Sequence, residues 1–206
     1  MTETNPYEEF RALDAATVYE ASGLEAAVDP AIRPVWAGAR VCGPAVTVLG
    51  HPGDNLALHD VVAAAGPHAV LVADVGGHLA GYWGEILSIS AQARGIQGLV
   101  IDGGVRDVAA LEALQFPVFS RGIDIRRTGK FHPGRVNVPV VLGDVPVRPG
   151  DLVIGDHDGL AVVPAADTRR VLDAARRRAA REQAAVKRLQ AGETTLEVFG
   201  LGVAKS

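Results

Sequence analysis

Leu99-Val100-Ile101-Asp102-Gly103-Gly104-Val105-Arg106-Asp107 is the stretch on which the fold turns. Its first three residues are a short apolar run bounded by turn signals, the mark of a fully buried strand. The strand is expected to stop at Asp102, where an acid, two glycines and an Arg-Asp pair precede a helical pattern over Val108 to Leu114. Strand, glycine loop and helix form the unit of a parallel α/β sheet. Ligands of such sheets collect where strand C-termini meet helix N-termini. Here that place carries a guanidinium and a carboxylate side by side. Arg grips carboxylates with a planar fork, and Asp is a hard oxygen ligand suited to Mg²⁺. The pair points to a site for a small organic acid. On spacing alone a plainer reading fits equally well: Asp107 favours a helix dipole and Arg106 is a solvated charge.

The same grammar occurs once more upstream. Val70-Leu71-Val72-Ala73-Asp74-Val75-Gly76-Gly77 repeats the order of apolar strand, acid and paired glycines. If the two strands are parallel neighbours, their glycine loops are expected to form opposite walls of one pocket. Around this pair, helices are predicted over 7–21 with Gly23 as stop, from Asp54 or Asn55 as N-cap through Ala65, and from Trp83 or Gly84 to Arg94. Strands are predicted over Val41 to Leu49, Ala69 to Ala73 and Pro117 to Ser120. After residue 130 short β runs (Val136 to Leu142, Asp151 to Ile154, Leu160 to Val163) alternate with turns such as Gly143-Asp144, which predicts an antiparallel layer. An Ala/Arg-rich helix from about Ala166 to Gln190 and a short helical tail after Gly192 close the chain.

Composition excludes several classes. The 206 residues, 48% hydrophobic and 21% charged, can bury a core as one domain and are not a disordered chain. A net charge of −4 gives no general attraction to nucleic acid or to an anionic membrane. Cys42 is the only cysteine, which rules out an internal disulfide and a thiolate zinc cluster. Any metal site must therefore be built from oxygen ligands with at most a histidine. The six histidines show no HExxH spacing. The N-terminal ten residues lack the pattern of a signal peptide, and no apolar run approaches the ~20 residues of a membrane span. A cytoplasmic location is the expectation.

Gly81-Tyr82-Trp83-Gly84-Glu85-Ile86-Leu87 is the second candidate region. Glu85 falls in a first helical turn, where free backbone N–H groups favour an anion. The N–H groups of Ile86 and Leu87 are placed to hold a carboxylate or enolate oxygen, and Glu85 to orient a water or act as a base. The plainer reading is a first-turn Glu that helps the dipole. His78 lies in the expected pocket loop, whereas His51 and His132 read as loop residues. Asp156-His157-Asp158-Gly159 lacks the remaining ligands of a calcium loop and reads as a hairpin turn. Arg169, Arg170, Arg176, Arg177, Arg178, Arg181, Lys187 and Arg188 form a basic helix face. Asp173 and Glu182 interrupt it, so a solvated face of a packed helix is favoured over an RNA surface.

These residues together resemble the RraA-like / 4-hydroxy-4-methyl-2-oxoglutarate aldolase family. The resemblance is carried by Gly76-Gly77, Gly84 to Leu87, Ala93-Arg94-Gly95, Gly98 to Gly103, Val105-Arg106-Asp107, Phe116 to Phe119, Pro149-Gly150-Asp151, Asp156 to Gly159 and Val162-Val163-Pro164. It spans about residues 10–165 in consistent order, with a C-terminal helical extension over about 166–206 of a single 1–206 domain. It implies an α/β fold, an α-β-β-α sandwich of the swivelling β/β/α type, assembled as a homotrimer or homohexamer with sites between subunits. One branch comprises class II, divalent-metal-dependent pyruvate aldolases that also decarboxylate oxaloacetate. The other comprises ribonuclease E inhibitors that lack the metal-binding Asp. With Arg106-Asp107 intact and the Gly84-Glu85 segment retained, this chain resembles the enzyme branch. By resemblance, Asp107 coordinates Mg²⁺ (or Mn²⁺ or another divalent cation), Arg106 binds the pyruvyl carboxylate, and the Ile86 and Leu87 N–H groups hold the pyruvate moiety. Glu85 orders or deprotonates a water, and Glu193 or Glu197 of a neighbouring subunit completes the site. Arg126 or Arg127 is a candidate grip for a second carboxylate, with His78 and Tyr82 shaping the distal pocket. The only central lysine, Lys130, lies outside the motif, in keeping with chemistry that needs no Schiff base. The rival reading is a non-catalytic regulator that binds a ribonuclease or RNA.

Overall fold

The computed structural model describes residues 6–201. The first five of the ten N-terminal residues read for targeting, and the last five residues of the C-terminal extension, lie outside the described residues. Where one helix is predicted over 7–21, the chain forms two, α1 (Pro6–Phe10) and α2 (Ala15–Ser22). The break has a tertiary cause. The Ala15 N–H donates to Asp156 Oδ2 at 2.8 Å, so a carboxylate from far along the chain satisfies a free N–H at the start of α2. Gly23 ends α2 with φ 67°, as its position predicts.

After the short β1 (Arg33–Pro34), the chain winds through β2 (Val41–Leu49), α3 (Leu56–Ala64), β3 (Val70–Asp74), α4 (Glu85–Ala93), β4 (Gly98–Val105), α5 (Val108–Ala113) and β5 (Val118–Ile123). β2 to β5 are parallel and lie in chain order, the outcome of successive strand–helix–strand crossovers. β6 (Arg135–Val136) pairs with the end of β2, and β7 (Val140–Leu142) with β8 (Val145–Val147) forms a hairpin. β9 (Leu152–Gly155) joins the other edge of β2, antiparallel, with β10 (Leu160–Val163) beyond it. α6 (Thr168–Gln190) and α7 (Thr195–Phe199) follow.

Period-two alternation sorts these elements into four layers. Leu71, Ala73, Leu99 and Ile101 face the core under α3, α4 and α5, while Val70, Val72 and Val100 face the other way. That second face meets Val140, Leu142, Val145 and Val147 of the β7–β8 hairpin and Val153 and Val162 of β9 and β10. The outer residues of β9 and β10, Leu152, Ile154, Ala161 and Val163, pack on α2 and α6 through Val18, Val171 and Ala175. The result is helices, sheet, sheet and helices: the α-β-β-α sandwich with its C-terminal helix.

The opening stretch departs from its reading in one respect. β4 does not stop at Asp102 but runs through both glycines to Val105, with a bulge against β5 between Ile101 and Gly104. The glycines serve close approach rather than a turn. A Cβ on Gly104 would lie 2.5 Å from the Ala80 carbonyl oxygen, and one on Gly103 would collide with Val75. The 75–83 segment therefore lies directly on β4, and Trp83 bridges Val105 in parallel fashion. Gly76 and Gly77, at φ 67° and 70°, make the real turn. The strands of the repeat are parallel neighbours in register, Asp74 against Asp102. Their glycine pairs are not opposite walls of a pocket. Gly77 N–H donates to the Asp102 carbonyl, and the Asp102 side chain is taken by Arg121, which also reaches Asp29 at 2.9 Å.

Candidate active site

Beyond the end of β4 a cleft of about 230 Å³ gathers Gly81 to Gly84, Ile86, Leu87, Arg106 and Asp107 together with Asn55, His59 and Lys130. The two sequence-predicted regions thus meet in one place. The Arg106 N–H donates to the Trp83 carbonyl at 2.8 Å, which fixes the pair against the start of α4. Trp83 is itself anchored, its Nε1 donating to the buried Ser88 Oγ at 2.6 Å.

Asp107 is held in the left-handed region, φ 60° and ψ 35°. An L-residue there pays roughly 1–2 kcal/mol, least for Asp and Asn, and such outliers persist where the surroundings enforce them. The carboxylate leans on Gly84, where a Cβ would collide with Asp107 Oδ2. Gly81 likewise leaves room for the Arg106 side chain, since a Cβ there would lie 2.8 Å from Arg106 Cδ. Asp107 Oδ2 accepts the Glu85 N–H at 3.2 Å, so the carboxylate supports the N-terminus of α4 rather than that of its own helix. The Ile86 and Leu87 N–H groups, next in that first turn, have no acceptor among the described residues. Arg106 Nε lies 3.7 Å from Asp107 Oδ2, and both side chains are nearly half exposed. A cation, a carboxylate and two free N–H groups thus open onto the same space.

The remaining lining residues were not legible in the sequence as parts of a site. Asn55 reads there only as a helix cap, a role its neighbour takes, since Asp54 Oδ1 accepts the Leu56 N–H at 2.9 Å. Asn55 instead donates from Nδ2 to the Tyr82 carbonyl at 2.9 Å, and its Oδ1 is buried with no hydrogen-bond partner. Lys130 arrives by tertiary pairing: Asn55 N–H donates to the Gly129 carbonyl and Gly129 N–H to that of Gly53. His59 lies one helical turn beyond Asn55 in α3. Burial first, then the neighbouring Lys130, hold its imidazole pKa below the ordinary 6.5, with Asp60 opposing in part.

Other expected residues lie outside this cleft within the single chain. Glu85 is exposed beside Asp107 but is not part of the cleft wall. Glu193 pairs with Arg188 of its own chain, and Glu197 closes a capping box with Thr194. Arg126 is clamped on Asp124, and neither it nor Arg127 lines the cleft, where Lys130 stands instead. His78 Nδ1 meets the hydroxyl of the cleft residue Tyr82 at 2.7 Å but does not itself line the cleft. His51 and His132 are loop residues stacked 4.4 Å apart. Asp156 to Gly159 is the β9–β10 turn, and its first acid caps α2.

Among the described residues, no three His, Cys, Asp or Glu side chains gather to hold a metal. A site of the Mg²⁺ kind needs fewer protein ligands than that, one or two carboxylates with several waters. Asp107 in its glycine cradle and the unpartnered Asn55 Oδ1 on the same cleft are both hard oxygen donors. They fit such an ion.

A model of the family described as Aldolase/RraA matches residues 13–162. The chain belongs to the RraA-like family. Its relatives in that family include a Halalkalibacterium halodurans protein named "Putative 4-hydroxy-4-methyl-2-oxoglutarate aldolase", 37% identical over 177 residues, which cover 85% of this chain and 84% of that protein. Among solved structures, an uncharacterized Pseudomonas syringae pv. tomato protein superposes with a TM-score of 0.87 at 29% identity, covering 96% of this chain and 93% of that one. The RNA-processing inhibitor RraA from Thermus thermophilis superposes with a TM-score of 0.65 at 28% identity, covering 71% of this chain and 92% of that one.

The basic face of α6 is largely neutralised. Arg169, Arg170, Arg176, Arg178 and Arg188 each pair with an acid, including Glu9 and Glu20 of the N-terminal helices. Among the described residues, no helix is long and apolar enough to cross a membrane.

Proposed function

We propose that the cleft is the active site of a divalent-metal-dependent lyase. It cleaves 4-hydroxy-2-oxo diacids of the 4-hydroxy-4-methyl-2-oxoglutarate and 4-carboxy-4-hydroxy-2-oxoadipate type to pyruvate, and it decarboxylates oxaloacetate. The observation that carries this reading is Asp107, held in a left-handed conformation against Gly84 with Arg106 beside it. The aldolase names of RraA-like relatives support it.

Both reactions leave a pyruvate enolate, so the site must bind a 2-oxo acid and stabilise charge on its keto oxygen. Asp107, assisted by Asn55 Oδ1, would hold Mg²⁺ or Mn²⁺, which when bound supplies Lewis acidity at that oxygen. Arg106 grips the pyruvyl carboxylate through its planar fork. The Ile86 and Leu87 N–H groups add fixed dipoles aimed at the developing charge, at no reorganisation cost during the reaction. Lys130 lines the same cleft and supplies a cation for the second carboxylate of a diacid. Glu85, exposed at the mouth, orders a water that returns a proton to the enolate carbon.

The deciding assay is pyruvate release by the purified protein from oxaloacetate with Mg²⁺, with and without EDTA. Metal-dependent release above the uncatalysed background is expected, and Asp107→Ala abolishes it. Apart from that loss, Asp107→Ala lowers stability by only about 1 kcal/mol, the worth of one capping contact. Absence of metal-dependent release from oxaloacetate and from both hydroxy diacids overturns the proposal. The rival reading, a regulator of a ribonuclease, draws on the likeness to the Thermus inhibitor. It gains the upper hand if the protein binds a ribonuclease tightly at high salt and lacks lyase activity.

A further inference from the structure

We propose that His59 is the catalytic base of aldol cleavage, taking the proton of the substrate's C4 hydroxyl. The inference rests on the lyase reading of the cleft and assigns a step that reading leaves open. Retro-aldol cleavage cannot proceed unless the C4 hydroxyl loses its proton as the carbon–carbon bond breaks. Decarboxylation of oxaloacetate has no such proton to remove.

The cleft offers few acceptors. From the 81–84 segment, Tyr82 faces it, but its hydroxyl accepts the Gly53 N–H at 2.5 Å and is engaged with His78 Nδ1. From the strand end, Arg106 and Asp107 face it, the first a donor only and the second the metal-ligand candidate. From the 129–131 segment comes Lys130, again a donor. Glu85 stands outside the wall, and Glu193 and Glu197 are engaged within their own chain. Among the described residues that leaves His59, half-buried on α3, with Asp60 as its acidic chain neighbour. No hydrogen bond to another described residue occupies its ring. Burial and Lys130 keep the imidazole neutral near pH 7, the state a base needs.

The step balances without any further reactant. A ring nitrogen of His59 takes the hydroxyl proton, and the C4–O bond becomes a carbonyl. The C3–C4 bond breaks, and its electron pair forms the enolate of pyruvate. Water then protonates C3, and the imidazolium returns its proton to solvent. The products are pyruvate and a second 2-oxo acid.

The test compares wild type and His59→Gln in the Mg²⁺-loaded full-length protein, with 4-hydroxy-4-methyl-2-oxoglutarate and with oxaloacetate, between about pH 5 and 9. In wild type, aldol cleavage is expected to fall on an acid limb centred below 6.5, as protonation silences the imidazole. In His59→Gln, kcat for cleavage is expected to drop about 10²–10⁴-fold, and that limb to disappear. Decarboxylation stays within about threefold, reporting that the fold and the pyruvyl site are intact. His59→Asn is read the same way where the Gln variant does not fold. Equal loss of both reactions, an unchanged cleavage rate, or a rise in KM with kcat and the acid limb retained each overturn the assignment. Wild type that decarboxylates oxaloacetate but cleaves no hydroxy diacid overturns it while leaving a metal-dependent lyase. Wild type that releases no pyruvate from either substrate removes the lyase reading itself.

Discussion

Asp107 and Gly84 are coupled at the scale of single residues. Gly84 has φ −167°, extended backbone open to any residue, so its lack of a side chain is not explained by a turn. What requires glycine is the carboxylate: a Cβ there would lie 3.0 Å from Asp107 Cγ and closer still to Oδ2. Gly84→Ala is therefore expected to fold, with a loss of about 1–3 kcal/mol from overpacking. Metal-dependent pyruvate release should fall about 10²-fold, because a reacting group is displaced by about an ångström. Thermal melts and steady-state kinetics on one preparation separate the two effects. A folded Gly84→Ala protein with wild-type activity removes the cradle from the mechanism. Arg106 and Asp107 were legible in the sequence because adjacent unlike charges after a strand are a local signal. Asn55, His59 and Lys130 were not, because nothing in their own neighbourhoods distinguishes them from a cap, a helix residue and a loop cation.

At the scale of elements, the segment after β5 supports one wall of the site. The Asp124 N–H donates to the Val105 carbonyl and the Gly81 N–H to that of Arg126, tying the segment to both the strand end and the glycine loop. The Arg126 guanidinium and then its backbone N–H hold the Asp124 carboxyl well below the usual range, at about 2. A carboxylate depressed on folding adds stability above its unfolded pKa of about 3.9, and that stability drains as pH falls towards the folded value. Urea midpoints measured between about pH 4 and pH 2 should therefore fall less steeply in Asp124→Asn than in wild type. Parallel slopes in the two proteins would show that the carboxylate contributes nothing to the segment. Elements were also where sequence reading failed most clearly. The predicted single N-terminal helix breaks because Asp156 supplies a cap from another layer, and β4 runs on because the 75–83 segment covers its glycines.

For the whole molecule, the surface near the cleft is unusual. Ile86 is 75% exposed, Ile123 62%, Ile125 85% and Phe131 82%. Large apolar side chains exposed together mark association surfaces. The last three belong to the 123–131 segment that also brings Lys130 to the site. We read this surface as the contact between subunits of a homotrimer or homohexamer. Sedimentation equilibrium at micromolar concentration should return a trimer or hexamer, and Ile125→Asp should shift it towards smaller species. A wild-type monomer overturns the reading. The sequence by itself determined the alternation of strands and helices over 41–120, the short β runs after residue 130, and the meeting of the Arg106-Asp107 and Gly84 to Leu87 regions as candidates. These follow from local periodicity: apolar residues alternating along strands, and glycines and charges punctuating their ends, whereas the four-layer sandwich was implied only by the family resemblance. Only the tertiary structure decided which residues share the cleft. Asn55, His59 and Lys130 are brought to the cleft that Asp107 lines by pairing between segments distant in sequence, such as Gly53 with Gly129 and Asn55 with the Tyr82 carbonyl. Such pairing depends on which faces the packed sheet leaves free, and no local pattern of side chains carries that information.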